Sequence, residues 1–299
     1  MAAANQPASN VRPADVREVL RRQIGDASRV LRGPDLSDAA IHHARKELKR
    51  ARANLRLLRP AVGRKAYTRE NAALRDASRP LSGARDAKVL VETVDGLLKA
   101  EKNPSRRALL SKVRALLEQQ RLAAGVAVLA SGHAGTSADS LDMAWHRVED
   151  WRLARRPGGA LERGMKRIYA RARKAYAHAA SEASAESLHE WRKHVKYLGA
   201  ALDTLDGGEA RVPAKLVEKL RRLAESLGHD HDLVVLHDEL SKIHSRASHA
   251  RTGIFAGIAR RRARLQAEAM KSARSVFRRK PKAFVKHIAS RKSEEDGDR

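Results

Sequence analysis

The stretch Ile41-His42-His43-Ala44-Arg45-Lys46-Glu47-Leu48-Lys49-Arg50-Ala51-Arg52-Ala53-Asn54-Leu55-Arg56 finds a counterpart in Leu188-His189-Glu190-Trp191-Arg192-Lys193-His194-Val195-Lys196-Tyr197-Leu198-Gly199-Ala200-Ala201-Leu202-Asp203, at an offset of 147 residues. His42 falls on His189, Arg45 on Arg192, Lys46 on Lys193 and Lys49 on Lys196. Ala53 falls on Ala200 and Leu55 on Leu202. At about 100° per residue, His42, Arg45, Lys46, Lys49, Ala53 and Arg56 share one helix face. Ile41, Ala44, Leu48, Ala51 and Leu55 take the opposite one. The second copy repeats the division: His189, Arg192, Lys193, Lys196 and Ala200 oppose Leu188, Trp191, Val195, Leu198 and Leu202. Each copy therefore predicts a helix that packs one apolar stripe and presents a cationic one.

The repeat extends in both directions. At an offset of 146, Leu74 falls on Leu220, Arg75 on Arg221, Leu81 on Leu227 and Asp86 on Asp232, and upstream Arg17 and Arg21 fall on Arg163 and Arg167. Apolar residues recur at helical spacing along the chain, and alternating β-branched runs are missing. This patterning predicts helices near 13–32, 37–59, 67–79, 86–99, 104–130, 140–153, 160–182, 184–206, 213–228, 232–245 and 250–279, with a short one after Pro281. The expected fold is all-α, two pseudo-symmetric helical bundles of four-helix-bundle type around a basic groove or pore. One domain is expected over 11–289: a first half at about 11–131, a connector at about 132–158 and a second half at about 159–289. Residues 1–10 and the acidic end, 290–299, are expected to be disordered.

Lys and Arg number 62 against 35 Asp and Glu, a formal charge of +27. Self-repulsion on that scale opposes compaction, and a polyanion relieves it. Aromatic residues are only 3% of the chain, too few to build a core and also supply base-stacking platforms. The balance points to phosphate recognition in preference to base recognition. The absence of Cys excludes disulfides, thiolate metal sites and cysteine nucleophiles. No apolar run approaches the roughly 20 residues that span a bilayer, and residues 1–10 do not read as a signal peptide. A soluble cytoplasmic protein is expected.

An ordinary solvated helix face sets acids four residues from bases, and the two cationic stripes lack that arrangement. A further basic face gathers Arg163, Lys166, Arg167 and Lys174, with Arg171 and Arg173 at its edges. The candidate polyanion ligands are thus Arg17, Arg21, His42, Arg45, Lys46, Lys49, Arg56, Arg163, Arg167, Lys174, His189, Arg192, Lys193 and Lys196. Arg offers phosphate a two-pronged donor, and Lys a mobile charge. The small Ala53 and Ala200 are expected to let a ligand approach the backbone. Arg45 and Arg192 lie off the apolar stripe, so reversing their charge is expected to abolish binding without unfolding. His42 and His189 are expected to strengthen binding as pH falls from about 7 to 6. The cluster His229-Asp230-His231-Asp232 invites a metal-dependent phosphohydrolase reading. Against it, Asp232 is matched by Asp86 across the repeat while the histidines are not, and the repeated Asp reads as a helix-start charge or cap. No catalytic residue, metal ligand or cofactor is assigned.

At these residues the chain resembles the CHAD family, named for histidines in an α-helical domain. The resemblance rests on Ile41-His42-His43-Ala44-Arg45-Lys46-Glu47-Leu48-Lys49-Arg50 and Leu188-His189-Glu190-Trp191-Arg192-Lys193. It rests also on Leu81-Ser82-Gly83-Ala84-Arg85-Asp86 with Leu227-Gly228-His229-Asp230-His231-Asp232, and on the ending from Phe277 to Phe284. Tyr197, opposite Arg50, and His231 depart from the family pattern. The resemblance implies a strongly basic central cavity that binds inorganic polyphosphate without hydrolysing it, often at polyphosphate granules. It implies His42, Arg45, Lys46, Lys49, His189, Arg192, Lys193 and Lys196 as contacts. A basic architectural protein that associates with nucleic acid is the alternative, with weaker nucleic-acid binding expected in either case.

Overall fold

The computed structural model describes residues 11–34, 36–153, 159–206, 212–242 and 248–289. The expected disordered ends lie outside these residues. The described chain is helical: α1 (Pro13–Leu31), α2 (Asp38–Ser78), α3 (Ser82–Ala100), α4 (Pro104–Ala130), α5 (His133–Glu149), α6 (Ala160–Ser181), α7 (Ala185–Asp206), α8 (Ala214–Lys242), α9 (Ser248–Val276) and α10 (Pro281–Ala289). Local chemistry sets several starts. Pro13 and Pro104 open α1 and α4, where a missing N–H costs nothing. The Ser37 hydroxyl accepts the Ala40 N–H at 3.3 Å, and the Asn103 side-chain Oδ1 accepts the Arg106 N–H at 3.1 Å.

The break expected between 59 and 67 is a bend within α2. Pro60 removes one rung of the helix ladder, and Gly63 leaves helical geometry at φ 81°, a conformation open to glycine. The break expected between 228 and 232 is absent, because α8 continues through Gly228. In the first half the corresponding stretch is interrupted at Arg79, Pro80 and Leu81, between α2 and α3. Pro80 is matched by Ser226 in the second half, and without a proline there the helix runs on.

Two apolar cores hold the helices. The larger joins α1, α2, α5, α6 and α7 to the first half of α8, the end of α9 and α10. The smaller joins α3 and α4 to the second half of α8 and the first half of α9. Both cores therefore draw on both sequence halves. The connector region contributes too, since α5 buries Ala134, Ala138, Leu141, Ala144 and Val148. The buried Glu70 carboxylate of α2 accepts both arms of Arg147 on α5, at 2.7 to 3.2 Å. Helices α2 and α6 cross closely: a Cβ at Gly164 would lie 2.0 Å from the Leu57 carbonyl oxygen. The C-terminal end is fixed by Tyr169, which stacks on Phe284 at 3.8 Å and whose hydroxyl lies 3.0 Å from the Val276 and Arg279 carbonyls.

Candidate functional site

The packing of α2 against α7 brings the two cationic stripes together. Lys49 and Lys196, which correspond across the repeat, are both held below the usual lysine range, and Lys49 is one of the charges that lower Lys196. Both side chains reach solvent, so they occupy an open recess and not a sealed interior. Crowding by protein is the main effect that pushes the Lys49 ammonium down to about 8, and repulsion from Arg45 and Arg192 adds to it. Lys196 is pushed down to about 8 by the same crowding, then by Arg192 and Lys49.

Arg45 and Arg192 form the walls of this recess. Arg45 is 8% exposed. It donates to Ser82 Oγ at 2.6 Å and lies 3.5 Å from Asp86 Oδ1, both on α3. Arg192 is likewise drawn out of water, and it is offset by Asp232 of α8 and by Asp86. In both arginines the Nε is buried without a hydrogen-bond partner. Asp86 and Asp232 are thus the counter-charges of the two repeated arginines. Asp232 sits in the middle of α8, which corrects the expectation of a helix-start charge. Burial raises the proton affinity of Asp232, against the pull of Arg192, Lys196, His229 and Arg85.

The histidines stand at the edge. Burial of part of the ring, then Arg85, Lys49, Lys46 and Lys88, hold His42 below the usual imidazole range. His189 is held low by burial and by Lys193 and Arg192, and its Nδ1 lies 3.3 Å from Nδ1 of His231.

A family model for the CHAD domain matches residues 14–241. The chain belongs to the CHAD domain family. The crystal structure of the CHAD domain from the plant Ricinus communis superposes with a TM-score of 0.57 at 18% identity, over 96% of this chain and 94% of that one. That likeness extends the shared fold to nearly the whole chain. No curated protein matches the chain.

Other predicted residues of this CHAD domain are held elsewhere. Arg17 donates to the Glu149 and Trp151 carbonyls, and Arg21 pairs with Glu149 at 2.8 Å and stacks over Trp145 at 3.9 Å. Both are tied to the C-terminal end of α5. Arg56 stacks over Tyr197 at 3.7 Å and shares a second recess with Arg59, Tyr67, Arg167 and Arg171. Arg163 lies beside Gly159 at the start of α6. Lys174, Lys46 and His42 are exposed. Lys193 is ion-paired to Glu190, so one member of the stripe carries an acid after all. Ala53 is fully buried and offers no backbone to a ligand. The burial of Arg45 and its bond to Ser82 also correct the expectation that its charge can be reversed without cost to the fold.

Arg85, Lys88, Asp86, Asp232 and His231 were absent from the sequence-derived set. The repeated pattern that ends in Asp86 and Asp232 was their signal, because it falls just downstream of the cationic helix in both halves. Asp230 is buried and accepts Arg262 Nε at 3.0 Å and Gln266 Nε2 at 2.9 Å, so it serves the α8–α9 contact. Among the described residues no three His, Asp or Glu side chains converge as a metal-ligand set, and no helix is long and apolar enough to cross a membrane.

Proposed function

We propose that this CHAD domain binds inorganic polyphosphate in the recess where α2 meets α7, without hydrolysing it, and that it does so at polyphosphate granules. The supporting observation is the convergence of Arg45, Lys49, Arg192 and Lys196, with Arg85 beside them, against two nearby carboxylates, Asp86 and Asp232. Cations from two helices that repel one another are stabilised by a ligand carrying closely spaced negative charge. Arg45, held by Ser82 and Asp86, supplies a fixed donor, Arg192 a partly buried one beside Asp232, while Lys49 and Lys196 reach the ligand as adjustable charges. The aromatic side chains support phosphate over base recognition, since Tyr169, Trp191, Phe277 and Phe284 are buried in the core.

The test is a competition across a salt series. Labelled long-chain polyphosphate is displaced by single-stranded DNA or RNA matched in phosphate number. The expected result is that polyphosphate stays bound at salt concentrations where nucleic acid is released. Equal competition with equal salt slopes would make the recess a generic cation surface and favour the architectural alternative. Phosphate release that stops with a chelator would overturn the non-catalytic reading.

A further inference from the structure

Helices α7 and α8 border a half-open pocket of about 290 Å³. Its walls are Val195 and Leu202 of α7 and Val217, Leu220 and Ala224 of α8. Gly199 opens it, because a Cβ there would meet nothing within 4 Å.

In the first half the corresponding positions carry polar side chains that bond to each other. Gly199 corresponds to Arg52 and Val217 to Asn71 under the offsets of the repeat. Arg52 Nε donates to Asn71 Oδ1 at 3.3 Å, so a guanidinium bridges the two segments of α2. Ala53 beneath it is fully buried, whereas its counterpart Ala200 is half-buried. Replacing Arg and Asn by Gly and Val removes both polar side chains, and leaves an apolar lining.

Three charged groups stand at the rim. Arg221 is engaged by Glu218 at 2.9 Å and by Glu225. Asp203 faces Arg50. Lys196 makes no ion pair among the described residues. A pure polyanion gains nothing from the apolar walls, and a neutral apolar molecule leaves the Lys196 ammonium to water and the nearby Asp232. Pockets with an apolar body and one placed polar group select ligands of the same construction. We propose that this cavity binds a small amphipathic anion, its apolar body between α7 and α8 and its anionic group on Lys196. Lys196 is shared with the recess proposed for polyphosphate, while the apolar walls belong to this pocket alone.

The probe is decanoate below its micelle concentration, titrated into the full chain by calorimetry. The double variant G199R/V217N transplants the Arg52–Asn71 pair, and Ala224→Leu fills the cavity from the other helix should the double variant fail to fold. The expected result is saturable one-site binding by the wild type, at least ten-fold weaker in a filled variant and several-fold weaker in Lys196→Gln. Decanol, which has the same body without the charge, is expected to bind more weakly than decanoate. The absence of saturable binding, or equal affinity in wild type and a folded filled variant, would overturn the site. Decanol binding as tightly as decanoate would overturn the role of Lys196. Polyphosphate titrated into the wild type and the filled variants, in which Lys196 is kept, reports separately on the proposed function.

Discussion

His189 of α7 and His231 of α8 meet ring to ring, with their Nδ1 atoms 3.3 Å apart and their centroids 4.4 Å apart. Across the repeat, His189 corresponds to His42 and His231 to Arg85. The second half thus places a titratable ring where the first half has a permanent charge. Two imidazolium rings at this distance repel, and burial together with Arg192, His189 and Lys196 pushes His231 down to about 4. An unfolded histidine titrates near 6.5, so the unfolded chain takes up this proton first. The stability that neutral His231 contributes is present above about pH 6.5 and is lost as pH falls toward 4. His231→Gln removes that contribution. The difference in melting temperature between wild type and variant should therefore shift in the variant's favour from pH 7 to pH 4.5. His42 and His189 are also held below the usual imidazole range, which displaces a histidine-driven gain in polyanion binding toward lower pH.

Lys49 and Lys196 are the cleanest points at which to test the recess, because they reach solvent and do not hold the fold together. Lys49→Ala with Lys196→Ala should weaken polyphosphate binding and flatten its salt dependence. For a single-stranded polyanion the slope changes by about 0.7 for each phosphate that the protein no longer neutralises. Melting temperature should hardly move. A variant whose salt slope matches the wild type would place the ligand elsewhere.

The low proton affinity of both lysines sets a second expectation. With values of about 8, they lose charge as pH rises from 7 to 9. Polyphosphate affinity should fall over that interval, and bound ligand should shift the fall to higher pH. Lys49→Arg with Lys196→Arg keeps the charge throughout, so its affinity should stay level from pH 7 to 9. A fall of equal size in this variant would assign the titration to other groups.

Gly164 tests the crossing that holds the two halves together. Any side chain there collides with the Leu57 carbonyl oxygen at 2.0 Å, and helix backbone cannot yield locally. Gly164→Ala should destabilise by about 3 kcal/mol, the upper end of the usual overpacking cost. Chemical denaturation would measure it. A neutral result would mean that α2 and α6 part easily.

The residues that decide the fold were legible because they are periodic. Ile41, Ala44, Leu48 and Leu55 of α2, and Leu188, Trp191, Val195 and Leu202 of α7, are buried as their spacing requires. Breaks were less legible. Pro80 ends a helix and Pro60 bends one, because the outcome depends on whether neighbours hold the flanking turns in line. Gly228 interrupts nothing, because buried Leu227 and the anchored Asp230 keep its turn in the core.

The sequence by itself determined an all-α chain, a twofold repetition of one cationic helix and an excess of positive charge that calls for a polyanion. Local spacing and composition are enough for these, since helix periodicity is a property of neighbouring residues. Only the tertiary structure decided that Lys49 and Lys196 face each other, that Arg45 and Arg192 receive Asp86 and Asp232, and that Arg17 and Arg21 are tied to α5. It also decided that Gly199 borders a pocket between α7 and α8, whereas Arg52 donates to Asn71. These facts depend on which helices cross and how closely, and that is fixed by side chains far apart in sequence, such as Gly164 against Leu57.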